Sequence, residues 1–184
     1  IMNEKPRLLI DKERLDLIIN RLCCQLIECH SDLKNTAILG IQPRGSYFSD
    51  RIVKRLKEMD PNLDLNYGKI DPTFYRDDFR TKDEPIIPSS TEFDFEIDNK
   101  HLILIDDVFY TGRTVRSALD AIHDFGRPSK VNLLVLINRR FSKELPIQPD
   151  YVGERVDSIA SEKVIVEWTE THGEDKVLLY RENI

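Results

Sequence analysis

No run in this 184-residue chain approaches the length of about 20 apolar residues that a membrane-spanning helix needs. The N-terminal residues also lack an apolar signal core, and a cytoplasmic protein is expected. Cysteine is scarce: Cys23, Cys24 and Cys29 fall in one helical pattern, without metal-ligand spacing or a partner set of histidines, and read as helix residues in a reducing compartment. Positive charge is short as well, with 27 Lys and Arg against 33 Asp and Glu and a net charge of -6. That balance argues against a surface that attracts nucleic acid everywhere and leaves room for a local basic patch. Neither Gly-x-x-x-x-Gly-Lys-Ser/Thr nor Gly-x-Gly-x-x-Gly occurs, so a Walker loop and the dinucleotide fingerprint are both absent. Repeats, low-complexity tracts and linkers are missing too. With 40% hydrophobic and 33% charged residues, the length suits one domain over 1–184.

What is present alternates between two periodicities. Leu15, Ile18, Ile19, Leu22, Leu26 and Ile27 stand at helical spacing within 11–30, with Asp11 as N-cap. A short apolar strand at 36–41 leads into Gln42-Pro43-Arg44-Gly45, and Phe48, Ile52, Val53 and Leu56 return to helical spacing over 46–58. A strand near 63–70 precedes a polar, proline-containing stretch at 76–99, long enough to predict a lid or binding loop. Strand 101–105, helix 112–125 and strand 131–137 then form a βαβ unit of parallel type. Two late strands, 163–168 and 176–180, flank a turn-forming Thr-His-Gly-Glu-Asp and could fold over the site as a hairpin.

The most specific segment is Leu102 to Thr114, Leu-Ile-Leu-Ile-Asp-Asp-Val-Phe-Tyr-Thr-Gly-Arg-Thr. A buried strand delivers Asp106 and Asp107 to its C-terminal edge, where open α/β sheets hold ligands. The following Thr111-Gly112-Arg113-Thr114 supplies hydroxyls and the free amides of a helix N-terminus, which suit a monoester phosphate. Sugar hydroxyls and a phosphate would be read together. Earlier in the chain, Arg44 and Gly45 sit between a strand and a helix and can meet an anion; a plain turn uses the same residues.

This pattern of four apolar residues, two acids, two apolar residues, a variable one and Thr-Gly-x-Thr resembles the phosphoribosyl-pyrophosphate (PRPP) motif of type I phosphoribosyltransferases. The resemblance runs from about Leu9 to Tyr180. Thr-Phe-Tyr-Arg-Asp-Asp, Gly-Arg-Pro-Ser-Lys, Glu-Leu-Pro-Ile, Asp-Tyr-Val-Gly and Ser-Glu-Lys-Val place it nearest the bacterial uracil phosphoribosyltransferases that double as pyrimidine-operon regulators. It implies an α/β fold with a mostly parallel sheet flanked by helices, a hood near 138–184 and a flexible loop near 76–99. The implied reaction is uracil plus PRPP giving UMP and pyrophosphate.

By the same resemblance, Asp106, Asp107, Tyr110, Thr111, Gly112, Arg113 and Thr114 bind PRPP, Arg44 and Gly45 form the pyrophosphate loop, and Tyr151, Val152, Asn138 and Arg139 bind the base. Asp106 and Asp107 help to hold Mg2+, mostly through substrate oxygens and water. Arg76, with Arg80 second, stabilises the departing pyrophosphate, so Asp106, Asp107 and Arg76 are the catalytic candidates. Purine-specific members carry an aspartate where Tyr110 stands, which turns the expectation toward a pyrimidine, with no side chain standing out as a general base. Two departures bear on function. The family's hood sequence Val-Asp-Arg-Gly-His-Arg-Glu-Leu-Pro is replaced by a longer Ile137-Asn138-Arg139-Arg140-Phe141-Ser142-Lys143-Glu144-Leu145-Pro146. Positions associated with RNA binding hold Asn20, Cys24, Lys143 and Gln148, with Arg21 kept. Alternatives to the uracil enzyme are an RNA-binding regulator with a nucleotide effector and a transferase for a purine or another base. A homodimer or higher homo-oligomer is expected.

Overall fold

Segments that are apolar on both faces alternate with segments apolar on one, and the computed structural model shows how that alternation folds; it describes residues 5–30, 33–77 and 90–181. In chain order the elements are β1 (Arg7–Ile10), α1 (Lys12–His30), β2 (Thr36–Ile41), α2 (Arg44–Met59), β3 (Asn66–Ile70), β4 (His101–Phe109), α3 (Arg113–His123), β5 (Lys130–Arg140), β6 (Tyr151–Asp157), β7 (Glu162–Glu167), α4 (Thr169–His172) and β8 (Lys176–Arg181). A 3-10 turn at Thr73–Tyr75 follows β3.

Five strands form one sheet in the order β3-β2-β4-β5-β6, every pairing parallel. A parallel sheet is covered on both faces, which is why β2 is buried at all six positions and β4 reads as a nearly unbroken apolar run. Successive side chains on the strands divide between two cores. Ile38, Ile103, Ile105, Leu134 and Leu136 pack with α1 and α2, through Leu22, Leu26, Phe48, Ile52 and Leu56. Leu39, Leu102, Leu104, Leu133 and Val135 pack on the other face with Val115, Ala118 and Ile122 of α3. Each fully buried Leu, Ile or Phe stabilises the fold by roughly 1.5–3 kcal/mol. The N-cap at Asp11 is present, its Oδ1 accepting from the Arg14 amide at 2.9 Å.

A second sheet is antiparallel, in the order β1-β8-β7, and joins the same core through Val164, Val166 and Val177. Arg51 of α2 fastens it. The guanidinium lies 4.3 Å from the centre of the Trp168 ring, donates to Asp175 at 2.7 and 2.9 Å, and reaches Glu170 at 2.8 Å.

Two expectations are corrected. Strand 101–105 extends to Phe109, so Asp106 and Asp107 lie within β4 rather than just past its end, because β5 continues to pair with β4 as far as Phe109↔Asn138. The stretch 90–99 is not part of an open loop: Glu92 forms an antiparallel bridge with Lys69, and Ile97 is fully buried. Its aromatic residues Phe93 and Phe95 account for this, since they pack against the α3-side core. The Tyr-Val-Gly of the Asp-Tyr-Val-Gly segment, residues 151–153, begins an edge strand, β6. Arg80 lies outside the described residues.

Candidate active site at the switch point of the sheet

Strand β2 pairs with β4 only up to Gly40↔Ile105, while β5 follows β4 to Phe109↔Asn138. From Asp106 onward β4 therefore has one free edge. The chain leaves β2 toward β3 on one side, and leaves β4 toward β5 and β6 on the other. Such a reversal opens a crevice at the carboxyl ends of the strands. Here it is a cleft of about 620 Å³. Its floor is Asp106, Asp107 and Val108; Gln42, Pro43 and Arg44 line one side, Arg76, Tyr110 and Thr114 the mouth, and Arg139, Ala160, Glu162, Lys163 and Val164 the far wall.

The acid pair is buried, at 7% and 4% exposure. Its local bonds are with the backbone: the Asp107 amide donates to Asp106 Oδ1 at 2.9 Å, and the Val108 amide to Asp107 Oδ1 at 2.7 Å. Asp107 Oδ2 is buried and has no hydrogen-bond partner. Burial and the neighbouring Asp107 charge push Asp106 well above the usual carboxylate range. Burial raises Asp107 as well, against the opposing pull of Arg44. A buried pair with an unmet oxygen is a site built for a cation or for hydroxyl donors. The two carboxylates suit a hard ion such as Mg2+, which would take its remaining ligands from substrate oxygens and water.

Two glycines let backbone come close here. A Cβ on Gly45 would stand 2.6 Å from the Ile105 carbonyl oxygen and 3.0 Å from Asp106 Cα, so only glycine lets the α2 N-terminus lie against the acid strand. Gly112 has φ +94 and caps α3, turning the chain directly after Thr111. The Arg113 amide donates to Thr111 Oγ1 at 3.3 Å, and the Thr111 carbonyl accepts from Glu144 and Leu145, docking the hood segment on this turn.

Arg113 itself is turned to neighbours: its side chain reaches Asp77 at 2.5 Å and Glu144 at 2.7 Å. It ties the root of the 76–77 segment and the hood to α3, and it does not line the cleft. Arg139 is buried at 5% exposure and packs 3.9 Å from the centre of the Tyr110 ring. Its Nε donates to Ser158 Oγ at 2.8 Å, and its Nη2 to the carbonyls of Ile159 at 3.2 Å and Glu162 at 2.8 Å.

The structure thus gathers Arg44, Arg76, Asp106, Asp107, Tyr110, Thr114 and Arg139 at one cleft. Tyr151, Val152 and Asn138 do not line it. The Tyr151 hydroxyl bonds His30 Nε2 at 2.8 Å, and His30 packs against His101, at the opposite end of β4 from the acids. Val152 packs in the α3-side core. Pro149-Asp150-Tyr151-Val152-Gly153 serves strand pairing instead: the Asp150 amide donates to the Leu133 carbonyl, and the Asp150 carboxylate accepts from the Leu133 amide, both at 2.8 Å. Sequence reasoning missed Ala160 and Glu162; Gln42 belongs to the segment expected to meet an anion, and Lys163 and Val164 to the late strand expected over the site. The Ser-Glu-Lys-Val segment held the signal, but only the antiparallel sheet brings β7 over the cleft. A larger groove of about 900 Å³ runs beside α1 and α2. Its arginines already pair, Arg51 with Glu170 and Asp175 and Arg55 with Asp16 and Glu58.

Comparison with known proteins agrees with this geometry. Residues 9–170 match the family described as Phosphoribosyl transferase domain. The chain is 38% identical over 174 residues to Bifunctional protein pyrR of Enterococcus faecalis, covering 95% of this chain and 96% of that one. With Bifunctional protein PyrR of Desulfosudis oleivorans the identity is 41% over 176 residues, covering 96% and 97%. Among solved structures, a hypoxanthine-guanine phosphoribosyltransferase from Bacillus anthracis superposes with a TM-score of 0.72 at 15% identity, covering 95% of this chain and 98% of that one. The hypoxanthine phosphoribosyltransferase of Trypanosoma cruzi gives a TM-score of 0.70 at 15% identity over 96% and 97%. At such identities the likeness is one of fold. With the sequence relatives matched nearly end to end and the acid pair at the switch point of the sheet, this chain belongs to the type I phosphoribosyltransferase family.

Proposed function

We propose that this protein transfers the phosphoribosyl group of PRPP to uracil, releasing pyrophosphate and forming UMP, with 1–184 acting as one catalytic domain. The observation that carries this reading is the buried Asp106–Asp107 pair with its unmet Asp107 oxygen, in the same cleft as Arg44, Arg76 and Thr114. Ribose hydroxyls supply donors for the carboxylates. Thr111 and the amides of the α3 N-terminus cradle the 5-phosphate. Arg44 meets pyrophosphate on the β2 side. Mg2+, when bound, would neutralise pyrophosphate charge between the acid pair and the substrate.

Pyrophosphate leaves C1 of the ribose with the bonding electrons while the sugar gains oxocarbenium character, and Arg76 stabilises the charge on the leaving group. The base lies between Tyr110, Arg139 and the segment Glu162–Val164, all of which line the same cleft. A tyrosine at position 110 provides a ring face and no carboxylate, which supports a pyrimidine over a purine.

The test is pyrophosphate release from PRPP and magnesium with uracil, hypoxanthine, guanine, xanthine and orotate supplied separately. Turnover with uracil alone supports the assignment; turnover with a purine moves the protein to another specificity. A second reading is RNA-binding control of a pyrimidine operon, suggested by relatives named bifunctional. Asn20, Arg21, Cys24, Lys143 and Gln148 are all exposed, but Arg21 is committed to the Gly153 carbonyl, at 2.5 Å. Retention of a pyrimidine-leader RNA with UMP present would favour that reading. A homodimer or larger assembly is part of the proposal, and a stable monomer in light scattering at micromolar concentration would count against it.

A further inference from the structure

Arg139 presents a problem that its neighbours do not solve. It is 5% exposed, yet no carboxylate pairs with it among the described residues. Its well-formed hydrogen bonds go to Ser158 Oγ and two backbone carbonyls, all uncharged, through Nε and Nη2, and the nearby Tyr110 hydroxyl and Glu162 charge only partly offset its burial. The nearest candidate counter-ion, Glu162, is engaged elsewhere: its side chain accepts from Arg181 at 3.2 Å and from the Ile159 amide at 3.0 Å. The Tyr110 ring covers one face of the guanidinium. Burial accordingly pulls the Arg139 pKa below its ordinary value. A buried cation without a counter-ion is costly unless an anion arrives to meet it. The other charged groups lining the cleft are Asp106, Asp107, Arg44, Arg76, Glu162 and Lys163, and the first four fall to the sugar and pyrophosphate in the reading above.

We propose that Arg139 is the specificity residue that makes this site bind its pyrimidine as the ring-nitrogen anion, so that the chain needs no general base. The inference rests on the proposed phosphoribosyl transfer and names the form of the base that it uses. The N1 proton of uracil is lost to solvent before binding. The N1 lone pair then forms the bond to C1 of the ribose as the C1–O bond breaks, with its electron pair leaving on pyrophosphate. Arg139 compensates the negative charge spread over the ring nitrogen and carbonyl oxygens of the bound anion, and Tyr110 holds the guanidinium in plane. Bases without an ionisable ring N–H would be excluded by this requirement as well as by shape.

The experiment compares uracil with 5-fluorouracil, a stronger N–H acid of nearly the same shape, from about pH 6 to 10.5, so that the ionisation of both bases is covered. Two readouts are taken: kcat/KM for the base at saturating magnesium and PRPP, and the protons released on binding each base with magnesium and pyrophosphate present, by calorimetry in buffers of different ionisation enthalpy. The expected result is a kcat/KM that rises with pH to an inflection that moves to lower pH for 5-fluorouracil, with release approaching one proton per base bound below that inflection. Arg139→Gln should lower kcat/KM for the base roughly 10- to 100-fold, the worth of a charge-assisted hydrogen bond, with little change in the KM for PRPP. Arg139→Lys should recover part of it. The two bases compared on the unaltered protein test the idea even where the Gln variant fails to fold. An inflection common to both bases, or binding without proton release, overturns the inference while leaving uracil transfer intact. Proton-releasing binding without turnover would instead sink the transfer and leave the anion site standing. No binding of either base removes both.

Discussion

At the scale of single residues, the acid pair sets function against stability. The folded pKa of Asp106 lies well above its unfolded value of 3.8, so the folded protein holds a proton that the unfolded chain releases. The resulting penalty is absent below pH 3.8, grows as pH rises through the raised value, and is fully present above it. Asp106→Asn should therefore raise the melting temperature at neutral pH, by an amount worth about 1–3 kcal/mol, while turnover collapses. Asp107→Asn should lose turnover with it, since ribose and metal contacts weaken together. Differential scanning calorimetry beside steady-state rates decides this, and a less stable Asn variant with normal rates would refute it. Arg76→Ala is expected to lower kcat by roughly tenfold or more with a smaller effect on PRPP affinity; an unchanged kcat would remove Arg76 from leaving-group stabilisation. Tyr151→Phe should leave the KM for the base unchanged, because the hydroxyl serves His30 at the far end of the sheet. A severalfold rise in that KM would reinstate Tyr151 at the base site.

Elements meet at a few ionic fasteners. Arg51 joins α2, which begins at Arg44 beside the cleft, to the turn between β7 and β8, and so fixes β7 over the cleft. The pKa values of Glu170 and Asp175 are both lowered from ordinary values of 4.5 and 3.8, chiefly by the Arg51 hydrogen bonds acting against burial in Asp175. Depressed carboxylates stabilise the fold above their unfolded pKa values, and this contribution is lost as pH falls through the lowered ones. Arg51→Met should cost about 2–3 kcal/mol at pH 7 and noticeably less at pH 3, since two carboxylates are left without a partner only where they are charged. Urea melts at both pH values test the sign; an equal loss at each would mean that stacking on Trp168, not charge, dominates.

Over the whole molecule, the net charge of -6 repels a polyanionic substrate such as PRPP, while in the cleft Arg44, Arg76, Arg139 and Lys163 stand against Asp106, Asp107 and Glu162, a local excess of positive charge. Screening acts over about 8–10 Å at ordinary ionic strength, comparable to the cleft and shorter than the molecule. Local attraction should win, so kcat/KM for PRPP is expected to fall as salt rises. A rise with salt would show that the global charge governs approach.

Read by itself, the chain determined the alternating architecture, the Thr36–Ile41 strand to the residue, and the acid-plus-Thr-Gly-Arg-Thr cradle, because these depend on periodicity and on contiguous residues. Resemblance also singled out Arg44, Arg76 and Arg139, which line one cleft with the acid pair. What stayed hidden depends on distant segments meeting. Whether Tyr151 faces a base or a histidine turns on where α1 ends, 121 residues earlier in the chain. The late hairpin of β7 and β8 was expected over the site, but that β1 completes it as a second sheet was not legible, because β1 lies far away in the chain. Arg139 is hydrophilic in any sequence scale; only tertiary packing buries it against Tyr110 with no carboxylate beside it, and the physical reason lies in contacts that no local pattern encodes.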